Sequence, residues 1–389
     1  AYLDPSSGAA LFVRDLFEDL AARGWNCRAV CGPQLDFERP RAIPEILREH
    51  GLGYALRDCT LPDGRRCELY EFTLGGVPVT QYCPATFEPH RPPAQAEGVP
   101  FLDLFARACE QFRPDVVLTY GGHPAGPHLI RRAKRRGRKV LFCLLNFAYP
   151  DPSFLRGADA LWVPSEFARR RYREMTGLEA EAVPWPWDHR RAIAERVEGR
   201  FVTFVNPQPV KGVGWFARIA YEMNRRRPDI PFLVEGRGGT DWLGRLPLDL
   251  SGLRNLHRMP TTPRPREFYA RSRVVLMPSL WEETFGRVAA EALANGIPVL
   301  AGDRGALPET LGGASFLFPI PECYTPQALE VPSAQEVAGW VEVIERLFDD
   351  EEFYQAQRRR CLERARVWEP DRLRPGVEEF FRRVAAGNQ

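Results

Sequence analysis

The sequence predicts an α/β protein made of two doubly wound parallel-sheet domains in tandem. Three observations predict it. The chain has 389 residues, more than one ordinary core accommodates. Short apolar runs of strand length alternate with amphipathic stretches of helical period, the pattern of crossover units and parallel sheets. That alternation stops once, at the proline- and charge-rich "VPWPWDHRRAIAERVEGR", and then begins again. The boundaries read from this are 1–188 for the first domain, 189–367 for the second, and 368–389 for a terminal helix able to pack back on the first.

The elements follow in order. Between Ala9 and Arg23, Phe12, Val13, Leu16, Phe17 and Leu20 recur at helical spacing, with Ser6 or Ser7 to cap the start and Gly24 to stop the end. The chain thus enters a loop and helix almost at once, as if a strand had just finished. Either that strand lies before Ala1 or the first sheet lacks it. "CRAVC" reads as a short buried strand. Residues 54–82 carry Asp-Gly and Gly-Gly turns between β-prone runs, so hairpins inserted into the α/β domain are expected. A helix near 101–112, the strand "PDVVLTY", a helix near 125–136 and the strands "KVLFCLLN" and "ADALWVPS" continue the first domain, which ends with the helix "EFARRRYREMTG". The second runs through the strand "FVTFVNP", a helix at 212–226, the strand "PFLVEG", a helix near 264–272, the strand "RVVLMPS", a helix at 287–295 and the strand "IPVLAG".

Composition narrows the function. Hydrophobic residues at 44 % and charged residues at 27 % are those of a soluble globular protein, and a net charge of +2 argues against nucleic-acid binding by the whole chain. The nine cysteines show no CxxC pair and no zinc spacing with histidine, which reads as free thiols in a reducing cytoplasm. No apolar run of membrane-spanning length occurs, and no signal peptide at Ala1.

The chemistry concentrates after "RVVLMPS". In open parallel sheets, ligands sit beyond the carboxyl ends of the strands. Residues 279–285 form the loop there, and the helix after Gly286 presents its first amides, around Thr284 to Arg287, to an anion. Gly286 lets the backbone approach closely. Glu283 lies in the loop and Glu291 about 7 Å further along the helix axis. Carboxylates accept hydroxyl hydrogen bonds and amides attract phosphate, so the arrangement suits a nucleotide sugar; the plainer reading makes Glu291 a solvated helix residue.

The stretch "PSLWEETFGRVAAEALANGIPVLAGDRGALPE" closely resembles the signature of the retaining GT-B glycosyltransferases of family four. Their usual pattern is Pro-Ser, a few residues, Glu-Gly-Phe-Gly, then a second Glu-Ala and Gly-x-Pro-Val; Thr284 replaces the usual glycine. The resemblance implies two Rossmann-like domains facing across a cleft, with the acceptor on the first and the nucleotide sugar on the second. It also implies that Glu283 holds the donor sugar, Glu291 the ribose diol, and Thr284, Phe285 and Gly286 the donor loop. The family commonly has an Arg and a Lys after the first strand of the second domain. In "FVNPQPVKGVGW", Lys211 matches the Lys and Asn206 stands in place of the Arg; Arg237 in "VEGRGG" is the candidate substitute. "DPSSGAALF" resembles the family's glycine loop, with Gly8 as its second glycine, although an ordinary helix cap explains the same residues. The usual histidine is absent, because "KVLFCLLN" ends in Asn146, and His123 in "VVLTYGGHPAG" is the alternative contact near the reacting sugar.

The expected activity is sugar transfer from a nucleotide-diphosphate sugar, acting as co-substrate, to an acceptor hydroxyl. No cofactor or metal is expected, and the chain contains no D-x-D motif. A non-catalytic nucleotide-sugar-binding protein and a sugar-nucleotide epimerase are the competing readings. The acceptor, whether glycan, lipid-linked or small molecule, is not readable. The basic runs at 131–139 and 168–173 can meet anionic lipid at a membrane periphery, although the first also fits the solvated side of a helix. Trp185 and Trp187 read better as a packed linker than as a sugar-stacking platform.

Overall fold

A computed structural model describes residues 2–4, 7–32, 42–60, 64, 66–84, 95–236, 241–262 and 264–387. The chain forms two compact units: Ala1–Pro164, Arg169–Trp187 and Pro370–Gln389 in one, Ser165–Ala168 and Asp188–Glu369 in the other.

The first unit holds two sheets. Strands 116–120, 139–143, 160–163 and 181–182 are parallel in that order. The second sheet contains the expected hairpins. Strands 55–60, 66–74 and 77–84 do form an antiparallel meander, but Val77–Pro84 also pairs in parallel with Ala29–Cys31, so the meander is part of the domain's own sheet. Its tight turn is Gly75-Gly76, with φ of 58° and 81° at a two-residue hairpin closed by the Leu74–Val77 pair. Both positions need left-handed backbone, which glycine supplies without strain.

Ser7 caps the helix Gly8–Ala22, its side chain accepting from the Ala10 N–H. Phe12 on that helix lies 5.2 Å from Trp162 and 4.3 Å from Trp185, in edge-on contacts. Trp185 and Trp187 are only 4 % and 2 % exposed, so both are core residues. The helix Pro370–Ala386 belongs to this unit. Phe380 and Phe381 pack edge-on against Trp162, and Arg374 and Arg383 pair with Asp19 and Glu181. Burying each phenylalanine contributes about 2–3 kcal/mol, more than either half-exposed ion pair.

The second unit is built on one six-stranded, wholly parallel sheet. Its spatial order is 256–259, 232–235, 201–205, 272–277, 299–302, 316–318. In chain order this is 3-2-1-4-5-6, so the winding reverses between Phe201–Val205 and Ser272–Met277. At that switch point, crossover helices leave to opposite faces and the two following loops flank a crevice. Those are the loops carrying Lys211 and Glu283.

No helix among the described residues is long and apolar enough to cross a membrane, and none of the described cysteines forms a disulfide.

Candidate active site

The loop after Phe201–Val205 turns through a short 3-10 segment, Pro209–Lys211, and enters the helix Val213–Arg226 at Gly212. The loop after Ser272–Met277 runs beside it, and the Leu280 N–H donates to the Val210 carbonyl at 2.9 Å. Gly212 has φ +81°, and a Cβ there would stand 1.9 Å from the Pro278 carbonyl oxygen. Only glycine allows this approach, which brings the lysine loop against the glutamate loop.

The Lys211 Nζ donates to Glu283 Oε1 at 2.6 Å, and the Ser279 hydroxyl donates to the same oxygen at 2.9 Å. Glu283 is 8 % exposed. Burial pushes its carboxyl up, but the Lys211 ammonium and hydrogen bonding outweigh this and hold it below the usual carboxylate value. The ammonium also lies 4.5 Å from the centroid of the Trp281 ring. Two groups singled out separately in the sequence thus form one ion pair.

A third segment locks the glutamate. The Ala306 N–H donates to the Glu283 carbonyl at 2.7 Å. Arg304 donates to the carbonyls of Leu280, Tyr324, Ile320 and Pro321, tying the loop's start to the segment after strand 316–318. Neither Arg304 nor Trp281 carries a signal in the sequence beyond its place in the signature stretch.

Gly286, at φ +86°, starts the helix Arg287–Ala294 without a side-chain cap. The N-terminal end of this helix carries the positive pole of its dipole, which favours an anion there. Thr284 and Phe285 precede it; Phe285 is buried edge-on against Trp368, and its carbonyl accepts from the Thr310 hydroxyl. Glu291 is not a solvated helix residue. It is 3 % exposed, with Oε1 accepting from Arg287 Nε at 2.5 Å and Oε2 from the Tyr269 hydroxyl at 3.0 Å. The Arg287 contact is a four-residue helical pair that the sequence contains; the Tyr269 contact arises from the fold.

Asn206 adopts φ +64°, and its Oδ1 is enclosed without a hydrogen-bond partner. Its N–H donates to the Glu235 carbonyl at 3.0 Å, fixing the start of the lysine loop. Arg237 lies outside the described residues.

Gly8 and His123 belong to the first unit. Gly8 is the exposed first residue of its helix, and a side chain there would meet nothing within 4 Å. His123 is exposed, and its Nδ1 accepts from the Ala125 N–H at 3.1 Å. Desolvation lowers its pKa, which favours the neutral ring. With Nδ1 accepting, the neutral ring carries its proton on Nε2 as an outward donor. Asn146 closes a local turn, its side chain accepting from the Ala148 N–H. In the basic run, Arg132, Lys134 and Arg136 pair with Asp103, Asp159 and Glu110, the arrangement of a solvated helix face. Among the described residues, no group of three or more His, Cys, Asp or Glu side chains could hold a metal ion.

A family model described as "Glycosyl transferase 4-like domain" matches residues 7–186, and one described as "Glycosyl transferases group 1" matches residues 199–349. A phosphatidyl-myo-inositol mannosyltransferase of Mycolicibacterium smegmatis is 31 % identical over 167 residues, 40 % of this chain and 43 % of that protein. The match thus spans less than half the length of that curated relative. Among solved structures, the catalytic domain of starch synthase IV from Arabidopsis thaliana, bound to ADP and acarbose, aligns over 98 % of this chain and 96 % of its own, with TM-score 0.66 at 12 % identity. The Anabaena protein HepE in complex with UDP and glucose aligns over 97 % and 96 %, with TM-score 0.64 at 15 % identity. A sucrose-phosphate synthase from Thermosynechococcus elongatus aligns over 99 % and 98 %, with TM-score 0.63 at 16 % identity. At these identities the likeness shows the fold.

Proposed function

Because the chain belongs to the GT-B glycosyltransferases of the GT4 type, we propose that it moves a sugar from a nucleotide-diphosphate donor to an acceptor hydroxyl, with retained anomeric configuration and without a metal ion. The observation that carries this reading is the meeting of Lys211 and Glu283 at the switch point of the second unit's parallel sheet.

Breaking the donor's glycosidic bond loads negative charge onto the departing diphosphate. In this reading, Lys211 and the positive dipole end of the helix Arg287–Ala294 stabilise that charge as it develops. They supply the positive potential that a divalent cation supplies in other phosphate-leaving reactions. Glu283 Oε1 is occupied by Lys211 and Ser279, so Oε2 is the atom assigned to a donor sugar hydroxyl. Holding the sugar in a reactive pose is the role given to that bond. Glu291, already oriented by Tyr269 and Arg287, is assigned the ribose diol, since each carboxylate oxygen can accept a second hydrogen bond. His123 Nε2–H and the Gly8 loop are the first unit's candidate contacts to the reacting sugar.

The test is a turnover screen with UDP-, GDP-, ADP- and dTDP-sugars, with chelator present and the product anomer assigned by NMR. Lipid-linked hydroxyls belong among the acceptors, given the name of the mannosyltransferase relative. Wild type should consume one donor class with retention, and Glu283→Gln should lose about a hundredfold in turnover. Undiminished transfer by Glu283→Gln refutes the residue assignment, an inverted anomer refutes retention, and activity abolished by chelator refutes metal independence.

A further inference from the structure

Trp281 stands two residues before Glu283 and touches the group that Glu283 holds. Its ring centroid is 4.5 Å from the Lys211 Nζ, which is itself 2.6 Å from Glu283 Oε1. Trp281 is half-buried, and hydrogen bonding from its side chain is among the influences that hold the Glu283 carboxyl low. The indole thus borders both members of the pair, and its ring face meets the cation.

An ammonium has three N–H donors on a flexible four-carbon stem, and a lysine left to itself samples many rotamers. Lys211 has two of its directions committed, one to the carboxylate and one to the indole face. One N–H remains for an incoming anion. The contact also bears on charge: Asn206 stands where the resemblance leads one to expect a second cation, so the pose of Lys211 matters more in this chain. Neither Ser279 nor Arg304 can substitute for the ring, since Ser279 binds the carboxylate and Arg304 binds only carbonyls.

We propose that Trp281 is a positioning residue for the donor diphosphate, holding the Lys211 ammonium against its ring so that the cation is in place before phosphate arrives. The inference rests on the assignment of Lys211 to the diphosphate made above. It concerns a position that the signature does not specify, and it acts through Lys211 and not by contact with the sugar.

A double-mutant cycle on diphosphate binding tests it, with UDP, GDP, ADP and dTDP titrated calorimetrically into wild type, Trp281→Ala, Trp281→Phe, Lys211→Ala and the Trp281→Ala/Lys211→Ala pair. A cation–π contact of this exposure corresponds to about fivefold in affinity. Trp281→Ala should weaken the preferred diphosphate by about fivefold, and Trp281→Phe, which keeps a π face, should stay within about twofold of wild type. In the Lys211→Ala background, Trp281→Ala should have no further effect, because the group it positions is gone. A purely structural tryptophan would weaken binding equally in both backgrounds, and that result overturns the proposal; so does a Trp281→Phe variant as weak as Trp281→Ala, or a Trp281→Ala variant that binds like wild type. If Lys211→Ala itself binds every diphosphate like wild type, the assignment of Lys211 falls first and the role of Trp281 falls with it.

Discussion

Removing the lysine of the Lys211–Glu283 pair should reverse the sign of Glu283's contribution to the pH dependence of stability. In wild type, Lys211 and the hydrogen bonds hold the buried Glu283 carboxyl below its ordinary value. A depressed folded-state pKa contributes stability that is present above the unfolded value, about 4.3 for glutamate, and is lost as pH falls through the folded value. In Lys211→Ala, burial remains and the ammonium is gone, so the folded-state pKa should lie above the unfolded one. The sign then reverses: stability is retained at low pH, where Glu283 is protonated, and falls as pH rises through the unfolded value.

The magnitude follows from the geometry. Breaking a buried pair by removing one partner costs roughly 3–5 kcal/mol. The Lys211 side chain keeps 22 % of its exposure, and Ser279 still donates to Oε1, so about 2–3 kcal/mol is expected at pH 8. At pH 5 the loss should shrink to about 1 kcal/mol, since a neutral carboxyl no longer needs a counter-charge. Urea denaturation of the ligand-free protein at the two pH values, followed by tryptophan fluorescence, measures the difference. Lys211→Ala/Glu283→Gln should recover most of the loss at pH 8. Equal destabilisation at both pH values, or a double variant no more stable than the single one, would refute the claim that the pair is electrostatically coupled. The same single variant should bind its nucleoside diphosphate roughly tenfold more weakly or worse, the worth of one charge-assisted bond; the calorimetric titration described above measures it.

Two further outcomes probe the walls of the site. Gly305 has φ +66°, and a Cβ there would lie 2.3 Å from the Glu283 nitrogen and 2.5 Å from its carbonyl oxygen, so Gly305→Ala should cost about 3 kcal/mol or more through strain and displacement of the Glu283 backbone; a thermal midpoint like wild type's would contradict it. Tyr269→Phe removes the hydroxyl that donates to the buried Glu291, so it should cost about 1–2 kcal/mol and weaken nucleotide binding severalfold; loss of stability with unchanged nucleotide affinity would leave Glu291 a structural residue.

The parts of the fold that depend on local pattern were legible, and those that depend on neighbours were not. Alternating apolar runs and amphipathic stretches specify crossover units because a buried parallel strand and its covering helix differ in period. Nothing in that periodicity says that Phe201–Val205 should lie between Phe232–Glu235 and Ser272–Met277, yet this ordering creates the switch point. The Gly-Gly turn announced a hairpin, but the parallel pairing of Val77–Pro84 with Ala29–Cys31 was invisible, because strand partners distant in sequence leave no local trace. The helices Ala338–Asp349 and Glu351–Ala365 leave a weaker signal, since that stretch lacks the strand alternation that frames the other elements.

The site divides in the same way. Glu283 is marked by its own surroundings, as a loop acid before a helix, and Lys211 only by the resemblance of its loop to the family's diphosphate-binding loop. Their contact depends on Gly212 allowing the two loops to approach and on the Leu280-to-Val210 hydrogen bond between them. Trp281, Tyr269 and Arg304 act through tertiary partners alone, and so left no spacing to detect. This has an energetic consequence for the site at rest. Lys211 is partly neutralised by Glu283 before any ligand arrives, so an anion gains the ammonium only by sharing it with a carboxylate held below its usual pKa. The N-terminal end of the helix Arg287–Ala294 has no acidic residue in its first turn. A diphosphate entering this crevice should therefore be drawn first by the helix end and only then by the lysine, and Lys211→Ala should raise its dissociation rate more than it lowers its association rate.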